Sequence, residues 1–279
     1  MFFHFGRRIA FLKWCAKTFS SFSDVFAAIQ LSTNKTEEAK STIVLHPRAL
    51  GGRPIYCRPG TTDWITLLSV FDDQYHLPPL QSNLLSCIVD LGANVGYTAA
   101  HFACIYPQAR IIAVEMDFNN YEVAIKNVRH WQDRIMLINA AIWSANSEVT
   151  YDCDVPQDAY KIRANSFEPS NSTQAGGIMK IASAISMERL IEQFDIHRID
   201  YLKVDIEGAE EELFLSSSPT WLTLVATLKV EIHRPQDIEK YLNVFAAAGF
   251  ITYKDDHHWS TVVAFRPTTL VVKGQVIEA

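Results

Sequence analysis

The chain lacks the features that mark several common classes of protein. Its 279 residues include five cysteines, which are scattered and form no C-x-x-C pair, so neither a disulfide framework nor a thiolate zinc site is expected. No apolar run reaches the ~18 residues of a transmembrane helix. The net charge is −6 and no long basic block follows the N-terminus, which argues against nucleic acid as the main partner. These absences favour a globular protein of a reducing, cytoplasmic compartment with one sizeable core.

The N-terminal segment has a different composition from the rest of the chain. Its charges before Asp24 are all basic, namely Arg7, Arg8, Lys13 and Lys17. They interrupt the apolar run, so a secretory signal is a poor fit. Two interpretations stay open: an accessory helix packed on the domain, and a basic amphipathic helix in peripheral contact with a membrane or a partner. We predict a helical extension and linker over residues 1–40, a helical cap over 41–85, and the main domain over 86–270.

Strand and helix signals alternate from about Ser86 onward. Five apolar runs predict strands separated by helices: CIVDLG, ARIIAVEM, RIMLINAAIW, IDYLKVDIEG and LVATLKVEIH. This alternation predicts an α/β fold, a mostly parallel sheet with helices on both faces. The last two strands, FITYKDD and STVVAFRP, leave no room for a crossover helix, so one edge should be antiparallel.

Ligands of such sheets bind beyond the carboxyl ends of the strands. This rule selects the loop 90–96, the acid Glu115, the segment 139–141, and Asp205 with Glu231 and His233. The candidate site therefore combines a glycine loop with several acidic strand ends.

The glycine loop does not have the dinucleotide fingerprint. Of the three glycine positions in G-x-G-x-x-G, only Gly92 is kept, since Asn94 and Tyr97 occupy the other two. Carboxylates end three of the strands and would repel a pyrophosphate: Asp90, Glu115 and Asp205. They suit a ligand with a sulfonium, an ammonium and a ribose diol, which indicates S-adenosylmethionine. An NAD(P)-dependent oxidoreductase and a non-catalytic cofactor-binding module are the alternatives.

Several motifs together resemble one family. They are VDLGANVGYTA, IAVEMDFNNYEVAIKNV, NAAIW, IDYLKVDIEGAEEELF and VEIHR, and they look like those of the FkbM-type methyltransferases, a branch of the class I, Rossmann-like enzymes. The resemblance covers roughly Tyr56 to Pro267 and includes RPGTTDWITLLSVF. It implies a seven-stranded sheet with an antiparallel last strand, and methyl transfer usually to an oxygen of a small molecule or sugar. Met116 stands where relatives often have proline, which affects the turn but not the expected ribose contact of Glu115.

We assign S-adenosylmethionine binding to the ends of the strands. The predicted cofactor-binding residues are Asp90, Gly92, Asn94, Gly96, Tyr97, Glu115, Met116, Asn139, Ala140, Ala141 and Asp205. Glycine in the loop lets the backbone approach the ligand closely, and Glu115 is expected to accept hydrogen bonds from both ribose hydroxyls.

Methyl transfer to a hydroxyl requires removal of the hydroxyl proton, by a general base or through a metal that lowers its pKa. Glu231 and His233 lie two apart on one strand and so point the same way, and Asp205 ends the preceding strand. These three are the predicted catalytic residues. We favour His233 as the base, titrating near its ordinary pKa of ~6.5 or above it if the acids are close. A divalent metal held by the three side chains is the alternative.

Residues 144–180 break the strand–helix rhythm. Loops of this length in compact domains are often functional, so we predict a substrate cover, with a surface insertion as the alternative. Arg163, Asn165 and Ser166 are its candidate contacts to a hydroxylated acceptor, a small molecule or a glycan.

Overall fold

The computed structural model describes residues 2–33, 42–79, 84–152, 162–163, 179–216, 219–255, 258–267, 271–272 and 275–276. Its helices are α1 Phe2–Thr18, α2 Phe22–Thr33, α3 Asp63–Leu68, α4 Tyr97–Ile105, α5 Phe118–Val128, α6 Met187–Gln193, α7 Glu210–Phe214 and α8 Ile238–Ala247. Its strands are β1 Ile43–Leu45, β2 Ile55–Cys57, β3 Cys87–Leu91, β4 Arg110–Glu115, β5 Ile135–Asn139, β6 Ala141–Ile142, β7 Ser147–Asp152, β8 Ile162–Arg163, β9 Met179–Ile185, β10 Tyr201–Val204, β11 Thr227–Glu231, β12 Ile251–Lys254, β13 Thr261–Phe265, β14 Val271–Val272 and β15 Gln275–Val276.

The central sheet has seven strands in the order β12-β13-β11-β10-β3-β4-β5. The five strands from β11 to β5 pair in parallel, whereas β13 pairs antiparallel with both β11 and β12. The predicted α/β fold class is confirmed: a seven-stranded sheet that is mostly parallel, with an antiparallel last strand, β13. The antiparallel strand is inserted next to the edge, between β12 and β11, and does not form the edge itself.

A second sheet follows the third parallel strand. The run RIMLINAAIW was expected as one strand, but β5 ends at Asn139 and β6 begins at Ala141 in another sheet, whose order is β6-β9-β7-β8. Strand β7 of this sheet lies within residues 144–180, the segment that breaks the strand–helix rhythm. Lys180 on β9 ties this sheet to the main one, because its ammonium lies 2.8 Å from the carboxylate of Asp117, the residue that caps α5 through the backbone N–H of Asn120.

Apolar clusters cover both faces of the central sheet. Ile88 of β3 belongs to one cluster and Val89 to the other, as the two-residue period of a strand requires. The first cluster also contains Cys15 of α1 and Leu45 of β1, both fully buried. The divisions at residues 40 and 85 stay a prediction, but the three segments contribute to one core.

The N-terminal helices pack on this core. Phe19 between them is buried and Trp14 lies edge-on to Trp64 of α3, with ring centroids 6.0 Å apart. In the described part of the chain, no helix is long and apolar enough to cross a membrane.

Two buried histidines are in contact with each other, one on α4 and one in the segment between α3 and β3. His76 Nε2 lies 2.9 Å from His101 Nδ1, and His76 is 0% exposed. Burial lowers the pKa of His101 to about 4 and that of His76 well below its usual range, with a further lowering of the latter by His101. Both rings are therefore neutral in the folded protein near pH 7.

The buried pair should by itself lower the free energy of unfolding by about 3–4 kcal/mol between pH 7 and pH 5, because the unfolded histidines take up protons near pH 6.5 while the folded pair does not. A folded-state pKa that is lowered places this loss on the acid side. Glu115, Glu231 and His233 have raised pKa values and change the stability in the opposite sense over this range, so the pair is measured as a difference between variants. In urea unfolding at both pH values, His101→Phe should gain about 2 kcal/mol at pH 5 relative to pH 7 when compared with the original protein, and His197→Ala, at an exposed histidine, should not. The same pH dependence in all three proteins would show that the pair does not contribute.

Candidate active site

A cavity of about 560 Å³ opens at the carboxyl ends of the parallel strands. Its walls come from α3, from the loops after β3, β4, β5, β10 and β12, and from the second sheet. Its polar lining residues include Thr66, Ser69, Asp73, Tyr75, Asn94, Thr98, Glu115, Asn120, Asp205, Glu207, Lys229, Glu231, Asp255 and His258. The site thus lies where the sheet topology predicted a ligand.

The loop after β3 passes closely beneath the end of β10. Gly92 has φ +80°, and a Cβ atom built on it would lie 1.7 Å from the carbonyl oxygen of Asp205. No side chain fits at that distance, so the glycine is required by close packing as well as by its backbone conformation. Asn94 follows in the left-handed region with φ 48°. Its Oδ1 is buried and has no hydrogen-bond partner, although Asn94 lines the cavity.

Glu115 at the end of β4 holds this loop. Its carboxylate accepts hydrogen bonds from the backbone N–H groups of Asn94 and Asp117, both at 2.8 Å. Burial raises the pKa of Glu115 to about 7, against the opposite effect of these two donors. Each carboxylate oxygen keeps a lone pair beyond its backbone contact, so Glu115 can still accept from a ligand in the cavity.

A buried lysine on β10 neutralises the acidic strand ends. Lys203 Nζ donates to the carbonyl oxygen of Gly92 at 2.9 Å and lies 3.3 Å from Asp90 and 3.6 Å from Asp205. The surrounding acids and Tyr75 raise its pKa well above the usual range despite burial. Asp90 is fully buried, with a pKa raised by burial, and does not line the cavity. Of the three acidic strand ends, only Glu115 and Asp205 reach it.

His233 is surrounded by carboxylates. Its Nδ1 lies 2.9 Å from Glu210, and its Nε2 lies 3.2 Å from Glu207 and 3.8 Å from Asp205. Burial alone would lower the pKa, but contacts with Glu207 and Glu210 outweigh it and raise the pKa of His233 to about 11. The ring is therefore an imidazolium near pH 7 and has no lone pair to accept a proton. His233 is held behind the cavity wall, so the expected role as base does not fit this geometry.

Glu231 lines the cavity at the end of β11 and is partly exposed to it. Burial and the nearby charge of Asp205 raise the pKa of Glu231 to about 7. The hydroxyl of Ser260 donates to Glu231 at 3.5 Å, and His258 Nε2 lies 3.9 Å from the same carboxylate. A carboxylate that titrates near neutral pH is suited to general base catalysis.

Asp205, Glu231 and His233 also form a cluster whose ligand atoms lie within 4.8 Å of one another. Both nitrogens of His233 face other carboxylates, Glu210 and Glu207, and its raised pKa keeps both protonated. A cation would have to displace a proton and a carboxylate from this histidine. With both ring nitrogens of His233 already in contact with carboxylates, the donor set as arranged does not fit a divalent metal.

The structure separates the predicted cofactor-binding residues into two groups. Those that line the cavity are Gly92, Asn94, Glu115, Met116, Ala140, Ala141 and Asp205. The others support its walls from behind. The Tyr97 ring is fully buried and its hydroxyl donates to the carbonyl of Tyr56. Gly96 faces Ala124 and Val128 of α5. The Asn139 amide donates to the carbonyls of Glu115 and Met116.

The insertion contributes one wall. Ile162 of β8 lines the cavity, which places part of residues 144–180 at the site. Arg163 follows it on the same strand. Asn165 and Ser166 lie outside the described residues, so their role as substrate contacts stays a prediction.

Sequence reasoning missed the cavity residues that precede the first central strand. Thr66 and Ser69 come from the segment that begins with α3, and the Tyr75 hydroxyl donates to Asp205 at 3.4 Å. Two further residues were not among the predicted site residues. His258 borders the cavity, and Glu210 is buried against His233. The resemblance of RPGTTDWITLLSVF to a family segment indicated that this part of the chain precedes the first central strand, but not that it lines the site.

The family model for the methyltransferase FkbM domain matches residues 90–258 of the chain. This match spans more than half of the sequence. The chain belongs to the FkbM methyltransferase family.

The individual proteins that the chain resembles have low sequence identity to it. The methyltransferase sdnD of Sordaria araneosa is 27% identical over 220 residues, which cover 68% of this chain and 83% of that protein. The crystal structure of a methyltransferase FkbM from Methylobacillus flagellatus KT has 14% identity and a TM-score of 0.45, with 93% of this chain and 59% of that chain covered. This chain therefore spans less than two thirds of that protein. The Methanococcus jannaschii fibrillarin pre-rRNA processing protein has 12% identity and a TM-score of 0.41, with 83% and 84% covered.

Proposed function

We propose that the protein transfers the methyl group of S-adenosylmethionine to a hydroxyl of a small molecule, sugar or glycan. The observation that carries this proposal is the content of one cavity. It holds Glu115 beside the glycine loop, where a ribose can be bound, and Glu231, which can take up a proton, beside Asp205.

The residues present fit this cofactor. The backbone of Gly92 lines the cavity, and the buried Oδ1 of Asn94 lacks a partner that a ligand donor would supply. Glu115 retains acceptor capacity for hydroxyl groups. The carboxylates of the lining favour a ligand that carries positive charge. These are the residues that would hold S-adenosylmethionine.

Bound S-adenosylmethionine supplies an electrophilic methyl group on a sulfonium. The protein must then position the acceptor hydroxyl and remove its proton. Glu231 is the group we assign to proton removal, because it lines the cavity and its pKa is raised to about 7. Tyr75 donates to Asp205 from one side, and the imidazolium of His233 lies on the other. The nearby charge of Asp205 helps to raise the pKa of Glu231.

The charge of the lining also restricts the acceptor. The acids facing the cavity outnumber the bases, and Lys229 is held by Asp255 at 2.6 Å. A phosphorylated or carboxylated acceptor would meet repulsion here. A neutral hydroxylated acceptor fits, with polar contacts available from Ser69, Thr66 and His258.

We expect S-adenosylmethionine to bind in titration calorimetry, without competition by NAD. Glu115→Ala should weaken this binding by about 1–3 kcal/mol, because the variant loses the carboxylate that accepts hydrogen bonds from the two ribose hydroxyls. Glu122→Ala, at an exposed glutamate of α5, is the matched control and should bind like the original protein. Thermal unfolding of both variants confirms that they are folded at the temperature of the titration. Undiminished affinity in folded Glu115→Ala would show that the ribose is held elsewhere.

A further inference from the structure

The outer faces of the two N-terminal helices present exposed aromatic and basic side chains around one corner. On α2, Phe22 is 88% exposed and Phe26 is 73% exposed, and their four-residue spacing puts them on one face. On α1, Lys13 and Lys17 are exposed with the same spacing. Lys17 lies in the last turn of α1 and Phe22 in the first turn of α2, so the four side chains lie within about two helical turns of the corner. We name them the corner patch.

The inner faces of the same helices account for their fold, so the corner patch is not required for packing. Cys15 and Phe19 are buried in the core, and Phe11 and Trp14 pack on Trp64. Two phenylalanines on the outer face of α2 are more than 70% exposed. An exposed apolar patch is unfavourable in water and often marks an interaction site.

The N-terminal helices carry a net positive charge, whereas the rest of the chain is net negative. Four basic residues and one acid give residues 1–33 a net charge of +3, so the remaining residues carry −9 of the total of −6. The one acid, Asp24, is 2% exposed. Its carboxylate accepts a hydrogen bond from the Ser21 hydroxyl and lies 2.9 Å from Nδ1 of His46. The corner patch therefore presents positive charge without a neighbouring exposed acid on these two helices.

We propose that the corner patch docks the protein on an anionic lipid surface. Aromatic rings flanked by lysines are the side chains that bind the interface between lipid headgroups and acyl chains, and anionic lipid attracts each lysine while repelling the acidic remainder of the chain. A second copy of the chain is a poorer occupant, because a symmetric contact would bring the lysines of both copies together.

Helix α3 connects the N-terminal helices with the cavity. Its Trp64 packs against Trp14 of α1, and the next two residues, Ile65 and Thr66, line the cavity.

Flotation with lipid vesicles tests the proposal on the full chain. We expect the protein to float with vesicles in which about one third of the phosphatidylcholine is replaced by phosphatidylserine, to bind pure phosphatidylcholine at least tenfold more weakly, and to dissociate as salt rises. Phe22→Ser with Phe26→Ser should lower partitioning by about tenfold or more, and Lys13→Glu with Lys17→Glu by a similar factor.

Ile125→Ser with Lys126→Glu is the control, since it replaces one exposed apolar residue by serine and one exposed lysine by glutamate on α5, away from the corner patch. It should float like the original protein, and all variants should keep the same thermal midpoint within a few degrees. Absence of flotation at low salt would overturn the proposal. So would an equal loss in the α5 control, or concentration-dependent self-association that the phenylalanine variant abolishes while vesicles are not bound.

Discussion

Gly92→Ala should lower the free energy of unfolding by about 3 kcal/mol or more, which is beyond the range of ordinary substitutions. The added Cβ would lie 1.7 Å from the carbonyl oxygen of Asp205, so the loop after β3 and the end of β10 must separate. That separation also breaks the hydrogen bond from Lys203 to the carbonyl of Gly92. The same movement widens the cavity wall, so S-adenosylmethionine binding should be lost in the fraction that folds.

Gly208→Ala is the matched control for this experiment. Gly208 also has a positive φ, at +98°, but among the described residues other than its chain neighbours no atom lies within 4 Å of the position of its Cβ. It therefore carries the backbone strain without the steric clash, and should cost about 1 kcal/mol. Urea unfolding of the two variants separates the contributions. Equal destabilisation would show that backbone conformation, and not close packing against Asp205, is the reason for glycine at position 92.

The alternation of apolar runs was sufficient to predict that parallel strands come first along the chain and an antiparallel pairing comes last. It also predicted that the cavity lies at the carboxyl ends of the parallel strands. Glu115, Asp205 and Glu231 were selected only because they end parallel strands, and all three line the cavity. This part of the fold is predictable because burial on both faces leaves little freedom in a central strand. The inserted antiparallel strand was not predictable in its position, since a hairpin fixes the pairing of β12 with β13 but not which of the two joins β11.

Side-chain direction and buried charge could not be read from the sequence. Asp90 and Lys203 looked like a polar strand end and a strand lysine, but in the fold they form a buried pair at 3.3 Å. The sequence of one strand does not show what lies on its neighbour. His233 was expected beside Asp205 and Glu231, whereas its closest partners, Glu210 and Glu207, come from the turn and helix after β10. Those contacts reverse its expected protonation, and so they change the choice of base.

Glu231→Gln should lower kcat by about 10²-fold or more with a neutral hydroxylated acceptor, because the amide keeps the shape of the side chain but cannot take up the proton. The acceptor is found by screening neutral polyols and sugars against their phosphorylated counterparts for release of S-adenosylhomocysteine, and the neutral compounds should be preferred. Glu239→Gln, at an exposed glutamate of α8, is the matched control and should keep full activity. Affinity for S-adenosylmethionine should change little in either variant.

The pH dependence of kcat identifies the base. Since the pKa of Glu231 is raised to about 7 and the base acts when deprotonated, kcat should fall as pH drops below about 7 and level off above it. The imidazolium of His233 lowers the pKa of Glu231, so His233→Gln should move this limb to higher pH and leave substantial activity on the plateau. Activity should be the same with and without chelator. A flat profile in His233→Gln, or loss of activity in chelator that magnesium restores, would assign the chemistry to the histidine or to a metal instead of to Glu231.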